Sequence, residues 1–258
     1  MEAARSGTEP QVSHTVADGV ATVVIDRPAK RNALTPEMWR ALPPLLDRLA
    51  GDPLVRVLVL RGAGATFSAG ADVAALQQPG QRLQELAGRA EEALAAFPKP
   101  TLAAVRGHCV GGGCQLAVAC DLRFAEEGAQ FGITPAKLGV VYPSAPTRRL
   151  TALVGPSTAK FLLFSGELVD SARALRTGLV DEVLPSGELD ARVADFARTL
   201  TARSQLTQVA TKEFVTGRTD RDAHWERQAT EQSGPGGDTA EGVTAFLERR
   251  APRFTWTT

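Results

Sequence analysis

Residues 101–120 read TLAAVRGHCVGGGCQLAVAC. Thr101–Val105 is an apolar run ending at Gly107, which predicts a short strand. Gly111-Gly112-Gly113 follows, and Cys114–Cys120 predicts an apolar helix. Glycine lets a backbone approach a neighbour or ligand closely. This turn also stands at a helix N-terminus, where free N–H groups and the helix dipole favour negative charge. A second small-residue loop, Phe67-Ser68-Ala69-Gly70-Ala71-Asp72, follows another strand and the Gly62–Gly64 turn. Side by side, two such loops can offer two N–H donors to one oxygen, which suits an enolate or a tetrahedral intermediate. Each loop alone has a plainer reading as a site of close packing. GGG is neither a P-loop nor a GxGxxG fingerprint, and no GxSxG elbow surrounds Ser68.

Outward from these loops the pattern alternates. Val20–Ile25 and Val55–Leu60 are rich in β-branched residues and predict strands, as does Asp121–Ala125. Thr35-Pro36-Glu37 opens a helix, with a Thr cap, Pro at the first helical position and an early acid. Pro43-Pro44 should disturb or restart it. Arg82–Phe97 predicts a helix with its charges facing out. From about Ala145 the pattern is mainly helical. Asp170 should cap a short helix ending at Gly178. Asp238-Thr239-Ala240-Glu241 fits a capping box for the last helix, and Gly234–Gly237 reads as a loop before it. The expected organisation is a disordered N-terminus over 1–11, an α/β core over 12–195 and a helical region over 196–258.

Composition excludes several classes. The 258 residues are 43% hydrophobic and 22% charged, which suits a globular chain with a sizeable core. Lys plus Arg and Asp plus Glu both number 29, so no general attraction to nucleic acid or an anionic membrane is expected. No apolar run approaches the roughly 20 residues of a membrane span. MEAARSGTEP lacks the apolar stretch of a signal peptide, so a cytoplasmic location is expected. Cys109, Cys114 and Cys120 are an odd set with no CxxC spacing and read as small buried residues. His14, His108 and His224 are scattered, which argues against a zinc site.

Taken together, several segments are more specific than any one. RPAKRNAL at 27–34, FSAGAD at 67–72, GGGCQLAVACD at 111–121, GLVDEV at 178–183 and FLERRAPRF at 246–254 occur in the order and spacing of the crotonase (enoyl-CoA hydratase/isomerase) superfamily. The resemblance covers roughly residues 12 to 254. It implies an α/β fold with a ββα-spiral core and a C-terminal helical trimerisation region. The implied assembly is a homotrimer or dimer of trimers, and the implied partner an acyl-CoA thioester. No cofactor is implied beyond the coenzyme A of the substrate.

The resemblance places the oxyanion donors at the backbone N–H groups of Ala71 and Gly112. It places Lys30 and Arg31 near the coenzyme A phosphates, and Ala69, Asp72 and Val73 along the channel. Arg253 and Phe254 match residues that can reach a neighbouring subunit's ligand. A basic residue common at the position of Ala74 is missing here.

The chain departs from a hydratase at two positions. Enoyl-CoA hydratases carry two glutamates that manage the water and the α-proton. Their positions here hold Gln115 and Ala136. A glutamine can orient a water but cannot take its proton. Tyr142, the only tyrosine, stands on the same segment and is similar in placing to an active-site tyrosine of methylmalonyl-CoA decarboxylases. Those proteins carry a histidine where this chain has Ala71. Tyr142 is thus the candidate proton donor, with Gln115 beside it, and a packing or hydrogen-bonding role is expected for His108. Two readings stand. One is an enzyme of hydratase/isomerase ancestry with a changed proton-transfer group, including a decarboxylase-like lyase. The other is a catalytically silent acyl-CoA binding or carrier protein.

Overall fold

The computed structural model describes residues 11–77, 83–217 and 219–258. Strands β1 (Gln11–Ala17) and β2 (Val20–Asp26) form an antiparallel hairpin. Asp18 and Gly19 join them, both with positive φ (50° and 80°), as a tight Asp-Gly hairpin turn requires. β1 is a correction to the expected outline. The sequence reading places Gln11 in a disordered N-terminus, but it begins a strand; residues 1–10 lie outside the described residues. β1 is largely exposed, so it shows no apolar alternation to read.

From β2 the sheet continues in parallel through β3 (Val57–Gly62), β4 (Thr101–Val105), β6 (Leu122–Glu126) and β9 (Glu182–Leu184). A smaller sheet holds β5 (His108–Val110), β7 (Gln130–Gly132) and β8 (Val169–Asp170). The expected strands at 20–25, 55–60, 101–105 and 121–125 all appear within about two residues, whereas the short second sheet was not foreseen.

Helix α1 (Pro36–Ala50) starts as expected, with Thr35 Oγ1 accepting from Met38 N at 3.3 Å. It does not break at Pro43-Pro44. Leu42, Leu45, Leu46 and Leu49 are buried on one face. At about 1.5–3 kcal/mol each, they outweigh two prolines at about 3 kcal/mol each. Helix α2 (Leu83–Ala95) packs on α1 and on α3 (Gly112–Ala119). Helix α4 (Ser144–Ser165) is kinked at Gly155, whose φ is +75° just before Pro156. Asp170 caps α5 (Ser171–Arg176) by accepting from Arg173 N at 2.7 Å.

Helix α6 (Leu189–Thr201) covers the outer face of the sheet through Leu189, Val193 and Ala197. It runs through residue 195, so the separate helical region begins after α6 rather than at 196. There α7 (Gln205–Val215), α8 (Asp222–Gln232) and α9 (Asp238–Glu248) gather around Leu206, Val209 and Trp225. The expected capping box does not form. Gly237 is the cap, and Asp238 accepts from Ser204 Oγ (2.7 Å), Thr255 N (2.9 Å) and Trp256 N (3.2 Å), tying down the C-terminal segment. Leu179 and Val180 of the 178–183 segment are buried within the chain. Phe214, Val215, Val243, Phe246 and Leu247 on the last helices stand exposed. No helix among the described residues is long and apolar enough to cross a membrane.

Candidate active site

Two glycine-bearing loops are zipped together at the C-terminal ends of β3 and β4. Phe67 N donates to Arg106 O, Ser68 N to His108 O, and Val110 N to Ser68 O, all at 2.8–2.9 Å. The approach leaves no room for side chains. A Cβ on Gly70 would lie 2.7 Å from Val110 O, and one on Gly113 2.7 Å from Ser68 Cβ. Gly70 also has a φ of +96°, which glycine adopts without strain.

A third segment braces the first loop. Asn32, fully buried with a φ of +56°, donates from Nδ2 to Ala63 O (2.9 Å) and Thr66 O (2.6 Å) and accepts from Arg27 N (2.9 Å). Arg31 O accepts from Ala69 N, and Leu34 exchanges backbone bonds with Gly70 and Asp72. Ser68 Oγ donates to Asn32 O and accepts from Gly70 N.

The outcome is a pair of unused donors. Among the described residues, neither Ala71 N nor Gly112 N has an acceptor, and both residues line one cavity. The two backbones are neighbours: a Cβ on Gly112 would lie 3.7 Å from Ala71 N. The same Cβ would meet the Trp39 ring at 2.9 Å, so a larger residue at 112 makes that ring shift.

The cavity has a free volume of about 140 Å³, close to that of an apolar protein cavity known to admit benzene. Ala69, Ala71 and Val73 form one wall, and Gly111, Gly112 and Gln115 a second. Leu83, Gln84 and Ala87 of α2 close one side, and Thr134, Pro135, Leu138, Val140, Tyr142 and Pro143 the other.

Gln115 is buried, and its Nε2 donates to Glu91 Oε2 at 2.6 Å. Glu91 is fully buried on α2, and its other oxygen accepts from Arg149 of α4. Arg149 also donates to Glu92 at 3.2 Å. Burial pushes the Glu91 carboxyl above its ordinary range, against the pull of Gln115 and Arg149. This network corrects the expectation that all charges of the helix face outward. Leu83, Ala87, Ala90 and Leu94 are buried with Glu91, and that spacing was the readable signal. Tyr142 is half-buried, and burial holds its phenol well above the ordinary tyrosine value.

Other expected site residues are placed differently. Asp72 does not line the cavity. Its carboxylate is paired with Arg27 at 2.8 Å, which lowers its pKa, and it accepts from Ala74 N at the start of the next turn. Ala136 is exposed on the 3-10 turn Pro135–Leu138 and lies outside the cavity lining. Lys30 and Arg31 are exposed on the bracing loop. Within one chain Arg253 and Phe254 are not in the cavity lining: Arg253 N donates to Glu241, and Phe254 packs on Gly242. His108 lies on β5, outside the lining.

Comparison with known proteins gives one consistent picture. The family described as enoyl-CoA hydratase/isomerase matches residues 15–257. A crotonyl-CoA hydratase of Syntrophomonas wolfei is 34% identical, over 91% of this chain and 94% of that protein. A solved enoyl-CoA hydratase/isomerase family member superposes with a TM-score of 0.88 at 40% identity, over 96% of this chain and 99% of that one. An enoyl-CoA hydratase from Bacillus anthracis superposes at 0.85 with 28% identity, over 94% and 98%.

Proposed function

The chain belongs to the enoyl-CoA hydratase/isomerase family of the crotonase superfamily, and from that premise we propose that it binds an acyl-CoA thioester and stabilises its enolate. The observation that carries this reading is the pair of unused N–H groups of Ala71 and Gly112, opening on one apolar cavity. Rigid donors aimed at an oxygen act most strongly where water is excluded. A thioester carbonyl seated there gains two hydrogen bonds that strengthen as charge moves onto its oxygen. The acyl chain then runs past Gln115 and Tyr142.

Tyr142 is the proton donor in this reading. A phenol held above its usual pKa keeps its proton at neutral pH and serves as an acid, not a base. Gln115 orients a water or a polar acyl group without taking a proton. Ordinary hydration is therefore slow: Gln115 is no base, and Ala136 is outside the cavity lining. Lys30 and Arg31 meet the coenzyme A phosphates. Arg253 and Phe254 serve a neighbouring subunit in a trimer or dimer of trimers.

The test is a mass-spectrometric screen of acyl-CoAs retained by the protein, followed by incubation. Retention and conversion of a neutral acyl-CoA is expected. Retention without conversion across the panel would favour a silent binder, and no retention would contradict the reading.

A further inference from the structure

The Gln115–Glu91–Arg149 network sits behind the cavity and reacts with nothing. Its effect is on what the cavity presents. Glu91, as a carboxylate, only accepts hydrogen bonds, so it takes the Gln115 nitrogen at 2.6 Å. Among the described residues no donor is paired with the Gln115 oxygen, on a side chain that lines the cavity. Gln115 lies three residues after Gly112 on α3, on the same helix face about 5–6 Å along. An acyl group whose carbonyl rests on Gly112 thus passes this oxygen at its second or third carbon. The nearby cation, Arg149, is engaged by Glu91 and Glu92. No cation is among the described lining residues.

We propose that Glu91 is a specificity-determining positioning residue: by holding the Gln115 amide nitrogen and Arg149, it leaves the cavity an acceptor oxygen and no cation, so that neutral acyl groups enter and those with a carboxylate on C2 are refused. This rests on the acyl-CoA reading above and narrows it. A malonyl-type carboxylate would face this acceptor oxygen with no cation among the described lining residues to offset its charge or its lost water. The same feature argues against a decarboxylase-like lyase, whose substrate carries that carboxylate.

Isovaleryl-CoA and malonyl-CoA branch alike at the same carbon, one apolar and one anionic. We expect the native protein to bind isovaleryl-CoA at least roughly 100-fold more tightly, the scale of moving a charge out of water with no opposite charge to meet it. Glu91→Gln frees Arg149 from its buried partner and lets the Gln115 amide turn. The preference should then narrow by roughly 10-fold or more, with isovaleryl-CoA affinity unchanged. Glu91→Gln/Arg149→Met removes both charges, avoids a lone buried one, and should restore the native preference. An unchanged preference in Glu91→Gln would overturn the role of Glu91. So would tight malonyl-CoA binding, or its conversion to acetyl-CoA, by the native protein, a comparison that needs no variant. Failure of the native protein to bind isovaleryl-CoA would instead overturn the acyl-CoA reading beneath it.

Discussion

Gly112 meets two demands at once: its N–H faces the cavity, and its Cα clears the Trp39 ring. Gly112→Pro removes the donor and adds bulk where a Cβ already meets that ring at 2.9 Å. Turnover of an active thioester should fall by about 10²–10³, the usual cost of one oxyanion donor; steady-state kinetics on folded variant protein checks this. Tyr142→Phe removes only the hydroxyl. It should lower turnover at constant ligand affinity, and equal turnover would eliminate Tyr142 as donor. Gln115→Glu sets a second carboxyl against Glu91, whose own pKa is already raised by burial. Two adjacent buried carboxyls raise each other's pKa. A folded-state pKa above the unfolded one means stability is full below the unfolded value, near 4.5, and falls as pH rises through the folded value. Gln115→Glu should therefore unfold at lower temperature at pH 8 than at pH 5, relative to native protein, in paired thermal melts. The glycines were legible because glycine between a strand and a helix has few other uses. Glu91 was not, because a single acid in a charged helix reads as solvated until the apolar residues around it are counted on one face.

Loop 27–34 is the element on which the site depends. Asn32 closes it with three hydrogen bonds from a fully buried side chain in a left-handed backbone conformation. Asn32→Ala strands two carbonyls and one N–H and places a Cβ residue less suited to positive φ there. A loss of about 2–4 kcal/mol is expected, and at about 2–4 °C per kcal/mol for a chain this size, a melting-point drop of about 5–15 °C. Calorimetry would show it, and an unchanged melting point would mean the loop is held elsewhere. The long elements were readable from their own patterns: β3, β4, α1 and α3 match within a few residues. The failures share a physical cause. β1 is an exposed edge, the second sheet is made of strands of two or three residues, and α1 passes through two prolines because tertiary burial outweighs local preference. The ion pair of Asp72 was hidden likewise, since its partner Arg27 stands 45 residues away in sequence.

At the scale of the whole molecule, the last helices leave Phe246 82% and Leu247 74% exposed, with Val215 at 81%. Apolar side chains this open commonly mark a surface that meets another subunit. Light scattering at micromolar concentration should give a trimer or a multiple of it, and Phe246→Glu should shift it toward monomer; a native monomer would contradict this. The central claim is that one carbonyl oxygen rests between Ala71 and Gly112. Isotope-edited infrared difference spectroscopy of bound isovaleryl-CoA labelled with ¹³C at the thioester carbonyl reads that bond directly. The account predicts a carbonyl stretch at lower frequency than in free ligand, moving back toward the free value in Gly112→Pro. A bound carbonyl with the frequency of the free thioester would contradict it.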